Sequence, residues 1–275
     1  CNSLLEGAPL DLRVNALKAK RDAVLEQLLA QGVKAEACKY SPWGIRVQGK
    51  PSLNQWPLFK DGSIEVQDEG SQLLALLLDA KRGEMVADFC AGAGGKTLAL
   101  GAMMRNTGRL YAFDVSGHRL DNLRPRLARS GLSNVYPIQI AHERDERIKR
   151  LSGKLDRVLV DAPCSGLGTL RRNPDMKWRQ SPQAVAELTQ LQAKILASAA
   201  RLLKPGGRLV YATCSLLRSE NEAIADAFTA ATPGFTPLDA ATLVEPALCE
   251  NGHLRLWPHR HGTDGFFAAA WQKSA

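Results

Sequence analysis

Between Met85 and Thr213 the chain alternates two hydrophobic patterns. Near-continuous apolar runs at Met85 to Cys90, Arg109 to Val115, Val135 to Ile140, Leu155 to Asp161 and Arg208 to Thr213 predict strands buried on both faces. Helical spacing of apolar residues covers Lys96 to Met104, His118 to Ser130, Gln183 to Leu203 and Glu220 to Ala231. Gly131 and Pro205-Gly206-Gly207 are expected to end two of these helices. Strand alternating with helix predicts an α/β fold with a mostly parallel sheet, and the tail from Thr263 to Trp271 reads as one more strand.

The first part of the chain has a different rhythm. Pro9 to Val14 reads as extended, Lys18 to Gln31 as a helix stopped by Gly32, and Ala35 to Tyr40 and Gly44 to Gln48 as extended segments broken by Ser41-Pro42-Trp43. A helical pattern from Glu69 to Ala80 leads into the larger region. The expected division is a small N-terminal α/β subdomain over residues 1–65 and a larger domain over 66–275. No run of about 18 uncharged apolar residues and no basic-then-apolar leader occurs. A soluble, cytoplasmic, monomeric protein is expected, and a chain that opens on Cys1 instead of Met admits a preceding domain.

Two cysteines follow apolar runs, in Asp161-Ala162-Pro163-Cys164-Ser165 and Ala212-Thr213-Cys214-Ser215, with a helical pattern between them. If those runs are adjacent strands, about 4.8 Å apart, both thiols reach the crevice where open α/β sheets bind ligands. The six cysteines (1, 38, 90, 164, 214 and 249) contain no Cys-x-x-Cys pair, which argues for reduced thiols over a zinc knuckle or disulfide framework. No metal is expected.

The run Met85 to Cys90 leads into Ala91-Gly92-Ala93-Gly94-Gly95-Lys96-Thr97, a turn that opens a helix and that a ligand can approach closely. A P-loop needs Gly where Cys90 stands, and a strict Gly-x-Gly-x-x-Gly needs one where Thr97 stands. Asp114 ends the next strand, placed to accept hydrogen bonds from ribose hydroxyls, so a nucleoside-bearing cofactor is expected. Asp161, a carboxylate closing an apolar strand at the same crevice, needs a partner. Net charge of +8, with clusters such as Arg124-Pro125-Arg126 and Arg171-Arg172, favours a polyanionic partner.

Taken together, the glycine loop, Asp114, Asp-Ala-Pro-Cys-Ser and Ala-Thr-Cys-Ser resemble the S-adenosylmethionine-dependent RNA 5-methylcytosine methyltransferases, particularly the bacterial ribosomal RNA branch. Leu12-Arg13-Val14-Asn15, Val66-Gln67-Asp68-Glu69, the stretch Arg171 to Trp178 and Asp264-Gly265-Phe266-Phe267 extend the resemblance over residues 8–271. It implies a seven-stranded Rossmann-like methyltransferase domain behind a small subdomain that contacts RNA. It also implies S-adenosyl-L-methionine held by Cys90, Ala91, Gly92, Ala93, Gly94, Gly95, Lys96, Asp114 and Asp161, with Arg171, Arg172 and Lys177 at the RNA. The chain departs from the family in two places. Gly92-Ala93 replaces the usual Ala-Pro, and Ala141-His142-Glu143 stands where a Gly-Asp pair commonly reaches the adenine.

Spacing does not decide which thiol attacks. DNA cytosine-C5 enzymes use the Cys of a Pro-Cys pair, the type of Cys164, whereas the resembled RNA family uses the Thr-Cys residue, here Cys214. The resemblance therefore implies Cys214 as nucleophile, Cys164 in product release and Asp161 on the pyrimidine. The expected substrate is cytosine C5 in 16S ribosomal RNA; transfer RNA, or an RNA-binding assembly role with a vestigial pocket, are the alternatives. A small-molecule methyltransferase would share the glycine loop and Asp114 but needs no thiol pair.

Overall fold

The computed structural model describes residues 2–275. The small N-terminal unit runs β1 (Leu10–Val14), α1 (Arg21–Ala30), β2 (Ala35–Ala37), β3 (Gly44–Val47), α2 (Pro57–Lys60) and β4 (Ile64–Val66). Its four strands form an antiparallel sheet in the order β2-β3-β1-β4. Leu12, Val14, Ile45, Val47 and Ile64 meet Val24 and Leu28 of α1 in its core. The pattern predicted the central strands and α1, but not β4, whose three residues are too few to show a period.

The larger domain begins with α3 (Glu69–Leu78), where the Asp68 carboxylate accepts from the Gly70 N–H as N-cap. Then follow β5 (Met85–Asp88), α4 (Gly95–Met103), β6 (Arg109–Asp114), α5 (Gly117–Ser130), β7 (Val135–Gln139), α6 (Glu146–Lys149) and β8 (Leu155–Asp161). A loop with the short α7 (Met176–Arg179) leads to α8 (Pro182–Ala200), β9 (Leu203–Thr213), α9 (Glu222–Ala231) and β10 (Phe235–Leu238). The remaining elements are β11 (Cys249–Glu250), β12 (His253–Leu256), α10 (Pro258–His261) and β13 (Phe266–Lys273).

Seven strands in the order β7-β6-β5-β8-β9-β13-β10 make the mostly parallel methyltransferase-type sheet expected, with β13 antiparallel to β9. The other end of β13 carries the hairpin β12-β11, which no pattern in the sequence announced. Alternate residues face opposite layers. Val86, Leu110, Leu159 and Val210 pack with α3 and α4, while Ala87, Tyr111, Val158 and Tyr211 pack with α8 and α9. One boundary differs from expectation. Helix α8 ends at Ala200, and Leu203 already pairs with Leu155, so Pro205-Gly206-Gly207 is an irregularity inside β9, not a helix stop.

Polar bridges lock the two sheets together. Glu65 of β4 binds Arg126 and Arg129 of α5, Asn15 donates to the Ser130 carbonyl, and Asp11 holds Arg46 and the Glu69 N–H. After β5 the chain moves to β6 on one side and later to β8 on the other, which leaves a crevice at the carboxyl ends of these strands. No helix among the described residues is long and apolar enough to cross a membrane.

Candidate active site

A cavity of about 830 Å³ opens at that crevice, lined by the ends of β5, β6, β8 and β9. On the β5 side the turn after Asp88 is pinned from both neighbours. The Phe89 N–H donates to the Leu159 carbonyl at 2.8 Å, and the Ala91 N–H to the Phe113 carbonyl at 2.8 Å. Gly94 has φ of +83°, and a Cβ there would stand 2.1 Å from Leu123, so glycine is required on both counts. Asp114 anchors the loop from the next strand: one oxygen accepts from the Gly92 N–H at 2.8 Å, the other from the Ser116 N–H at 2.7 Å. An ionised carboxylate has about four lone-pair sites, so Asp114 keeps acceptor capacity toward the cavity.

Helix α4 starts on this loop with Gly94 as N-cap and no side-chain cap, leaving its first-turn amides for an anionic ligand group. Lys96 in that turn reaches across to Asp161, Nζ to Oδ2 at 2.6 Å. Burial pulls the Lys96 ammonium down, but Asp161, with Asp88 and Cys214 further off, outweighs it and leaves Lys96 above its ordinary range. Cys90 is the reverse case: burial, then the surrounding carboxylates Asp88, Asp161 and Asp114, push its thiol well up, so it stays protonated.

One residue at this end escaped the sequence reading. Asp88 is almost fully buried, takes the Thr97 hydroxyl at 2.7 Å on one oxygen and leaves the other without a partner. Burial raises its carboxyl to about 6, against the Thr97 bond. The signal was available, since Asp88 closes an apolar run just as Asp161 does.

Strands β8 and β9 are parallel neighbours joined through α8, and they bring Cys164 and Cys214 to an Sγ–Sγ distance of 3.4 Å. The hydrogen bond to Cys214, followed by burial and the Cys214 charge, pushes the Cys164 thiol well above its ordinary range. Cys164 therefore favours its protonated form. Meanwhile Cys214 is the thiol that lies within the field of the Lys96 ammonium. The two environments are unequal, a distinction that spacing in the sequence did not carry.

The loop after Cys164 is fastened to the backbone of Cys214. The Gly168 N–H donates to the Cys214 carbonyl at 2.8 Å, and a Cβ on Gly168 would meet that oxygen at 2.7 Å and the Gly265 oxygen at 2.2 Å. Further along, Arg171 and Arg172 both bind Asp264, at 2.8 and 2.5 Å, and Arg172 also binds Asp68 at 3.0 Å. The Arg171 side chain is only 6% exposed. Both guanidinium groups, which the sequence offers to RNA, join a latch with a carboxylate 92 or 93 residues away in the chain; Arg171 is covered in it and Arg172 keeps 30% of its side chain exposed. Burial, then the Asp264 charge, raises Asp68 in this latch to about 6.

Lys177 is exposed instead, its ammonium 5.1 Å over the ring of Trp178, which is itself 81% exposed. Met176, one residue earlier, lines the cavity. Ile140, Ala141, His142 and Glu143 form its far wall, and the His142 ring accepts from the Arg144 N–H through Nδ1 at 3.1 Å. The cavity therefore brings together Cys90, most of the glycine loop, Asp114, Asp161, Cys164 and Cys214, while Arg171, Arg172 and Lys177 lie outside its lining.

Comparison with known proteins adds an independent line. A family model described as 16S rRNA methyltransferase RsmB/F matches residues 75–272, and a RsmF/B-like ferredoxin-like domain model matches residues 1–54. The chain is 36% identical over 270 residues to the probable ribosomal RNA small subunit methyltransferase B of Bacillus subtilis, covering 95% of this chain and 59% of that protein. It thus spans about three-fifths of the length of such curated relatives. A methyltransferase homolog protein from Pyrococcus horikoshii superposes with a TM-score of 0.84 at 31% identity, over 99% of this chain and 88% of the other. NSun6 from the same organism, crystallised with SFG, shares the fold with a TM-score of 0.87 at 22% identity, over 100% and 93% of the two chains.

Proposed function

The chain belongs to the 16S rRNA methyltransferase RsmB/F family, and from that membership and its paired thiols we propose that it methylates C5 of a cytosine in RNA, using S-adenosylmethionine. The carrying observation is the thiol pair, 3.4 Å apart, opening into the cavity that the glycine loop and Asp114 also line. A methyltransferase acting on oxygen or nitrogen has no use for two cysteines there.

The cavity suits an adenosyl cofactor: it offers uncapped α4 amides for a carboxylate, Asp114 for ribose and apolar Ile140 and Val115 beside the base. When bound, the cofactor supplies an electrophilic methyl group on a sulfonium. Cytosine C5 is too weak a nucleophile to take it directly, so the Cys214 thiolate adds at C6, forming a C–S bond and moving electron density to C5. The C5–CH3 bond then forms as the methyl–sulfonium bond breaks. Loss of the C5 proton to water and cleavage of the C6–S bond restore the ring and return the Cys214 thiolate. Cys164, protonated and in contact with Cys214, assists that release by donating a hydrogen bond to the departing sulfur. Asp161, oriented by Lys96, faces the pyrimidine edge.

A base inside a duplex cannot reach such a cavity, so the cytosine is single-stranded or flipped. The net charge of +8 attracts the backbone, and the exposed Trp178 beneath Lys177, two residues after Met176 of the cavity lining, offers a stacking surface. Small-subunit ribosomal RNA is the substrate that the relatives' names favour. RNA carrying 5-fluorocytosine tests the reading, because its C5 has no proton to lose. The parent protein with S-adenosylmethionine should give a protein–RNA band that survives denaturing electrophoresis, and Cys214→Ala should give none. A band with Cys214→Ala and none with Cys164→Ala would reverse the two roles.

A further inference from the structure

Behind the thiols, outside the cavity lining, lies a carboxylate that the mechanism above does not use. Glu220 is fully buried at the end of the short turn Arg218–Glu220. Its charge is met by hydrogen-bond donors. One oxygen accepts from the Ser165 N–H at 2.8 Å and Gln192 Nε2 at 3.0 Å; the other accepts from the hydroxyls of Ser165, at 2.5 Å, and Ser215. Ser165 follows Cys164 and Ser215 follows Cys214, so a single side chain grips the residue after each thiol.

The surrounding contacts tighten the same grip. Gln192 Nε2 also donates to the Pro163 carbonyl at 2.9 Å, which holds Cys164 from its other side. Asn221, next to Glu220, takes the Thr213 hydroxyl and donates to the Ser215 carbonyl at 3.0 Å, which brackets Cys214. Burying a carboxylate is costly, and an apolar side chain of similar volume often serves stability as well or better. A fully satisfied buried network instead fixes one arrangement.

We propose that Glu220 is a positioning residue that sets the spacing and orientation of the two thiols through Ser165 and Ser215, without touching substrate. The proposal rests on the roles given above to Cys214 and Cys164. The Glu220 charge is the smallest of the influences that raise the Cys164 thiol, after the Cys214 hydrogen bond, burial and the Cys214 charge, so the role assigned to Glu220 is geometric.

Three variants test it. Glu220→Ala removes the grip, Glu220→Gln keeps a side chain that can accept from the two N–H donors and donate to the two hydroxyls, and Ser165→Ala with Ser215→Ala cuts the ties but leaves the carboxylate. Alkylation by iodoacetamide, mapped by mass spectrometry, needs no RNA. It should favour Cys214 over Cys164 in the parent and in Glu220→Gln, and lose that preference in Glu220→Ala and the double serine variant. Adduct formation on 5-fluorocytosine RNA should slow by about 100-fold in Glu220→Ala, the scale for a misplacement of roughly 1 Å, with S-adenosylmethionine affinity unchanged. Glu220→Gln should recover most of that rate.

A folded Glu220→Ala protein with parental alkylation preference and adduct rate would overturn the proposal, as would Glu220→Gln proving no better than Glu220→Ala. Should Glu220→Ala not fold, the double serine variant decides by the same measurements. Should the parent form no adduct with 5-fluorocytosine RNA, the proposed function fails, while the alkylation pattern still decides for or against Glu220.

Discussion

The two halves of the crevice solve the same problem with different parts. At the ends of β5 and β6, Asp114 stands in the cavity wall and binds backbone N–H groups of the glycine loop and of the start of α5. At the ends of β8 and β9, Glu220 stands behind the wall and binds the residues that follow the reacting groups. A loop that cradles a ligand can be braced by a residue that also touches the ligand. Thiols that form and break a bond need a brace that stays out of the reaction. Lys96 and Asp161 join the halves, one from each side.

The largest test of this contrast lies in the thiol half. Cys164→Ala should still bind S-adenosylmethionine and form the adduct on ordinary cytosine RNA, but stall there. Multiple turnover should vanish while a covalent protein–RNA band accumulates, and normal turnover would remove Cys164 from the release step. On the cofactor side, Asp114→Ala frees the glycine loop and removes the proposed ribose contact together. Calorimetry should show S-adenosylmethionine binding weakened by about 1–3 kcal/mol, with the alkylation preference between the thiols intact. If the preference also collapses, the two halves are not braced separately.

Trp178→Ala should weaken RNA binding by about 1–3 kcal/mol, the scale for one stacked base, and leave cofactor binding alone; parental RNA affinity in a filter-binding titration would place the RNA elsewhere. The smallest effect is on stability. The Asp88 carboxyl, raised by burial to about 6, lies above the unfolded value of about 3.9. Between those values the folded chain keeps a proton that the unfolded chain has lost, so stability falls as pH rises through this window and stays lower above it. Asp88→Asn cannot ionise and should melt higher than the parent at neutral pH, with the gap closing near pH 4. A gap that is the same at both pH values would mean that Asp88 does not titrate there.

What could be read in the sequence follows from burial and length. Strands covered on both faces, such as Leu155–Asp161, are written as apolar runs, whereas β4, β11 and β12 are too short or too close to an edge to repeat a pattern. Pro205-Gly206-Gly207 is a louder signal than the turn before Leu203, so α8 was drawn too long. The thiols and Asp114 stood out because polar residues interrupt apolar runs at strand ends. Glu220 did not, because it sits among the polar and charged residues of a helix start, and nothing local tells that Ser165, 55 residues earlier, points at it together with Ser215. The latch of Arg171 and Arg172 is hidden for the same reason, since charge is visible along the chain and its partner is not.

The position of β13 bears on how the protein is made. This strand follows in sequence everything it touches, yet it pairs with β9 along six residues and lies inside the sheet. The Asp264-Gly265 turn leading into it supplies the carboxylate for Arg171 and Arg172 and the N–H that fixes Gly168 against Cys214. A growing chain that has emerged only as far as α9 has β9 as a bare sheet edge and no frame around the loop after Cys164. Such long-range pairing is slow to form and leaves the edge open to aggregation in the meantime. The thiol pair is consequently framed only once β13 has emerged and slotted between β9 on one side and β10 and β12 on the other.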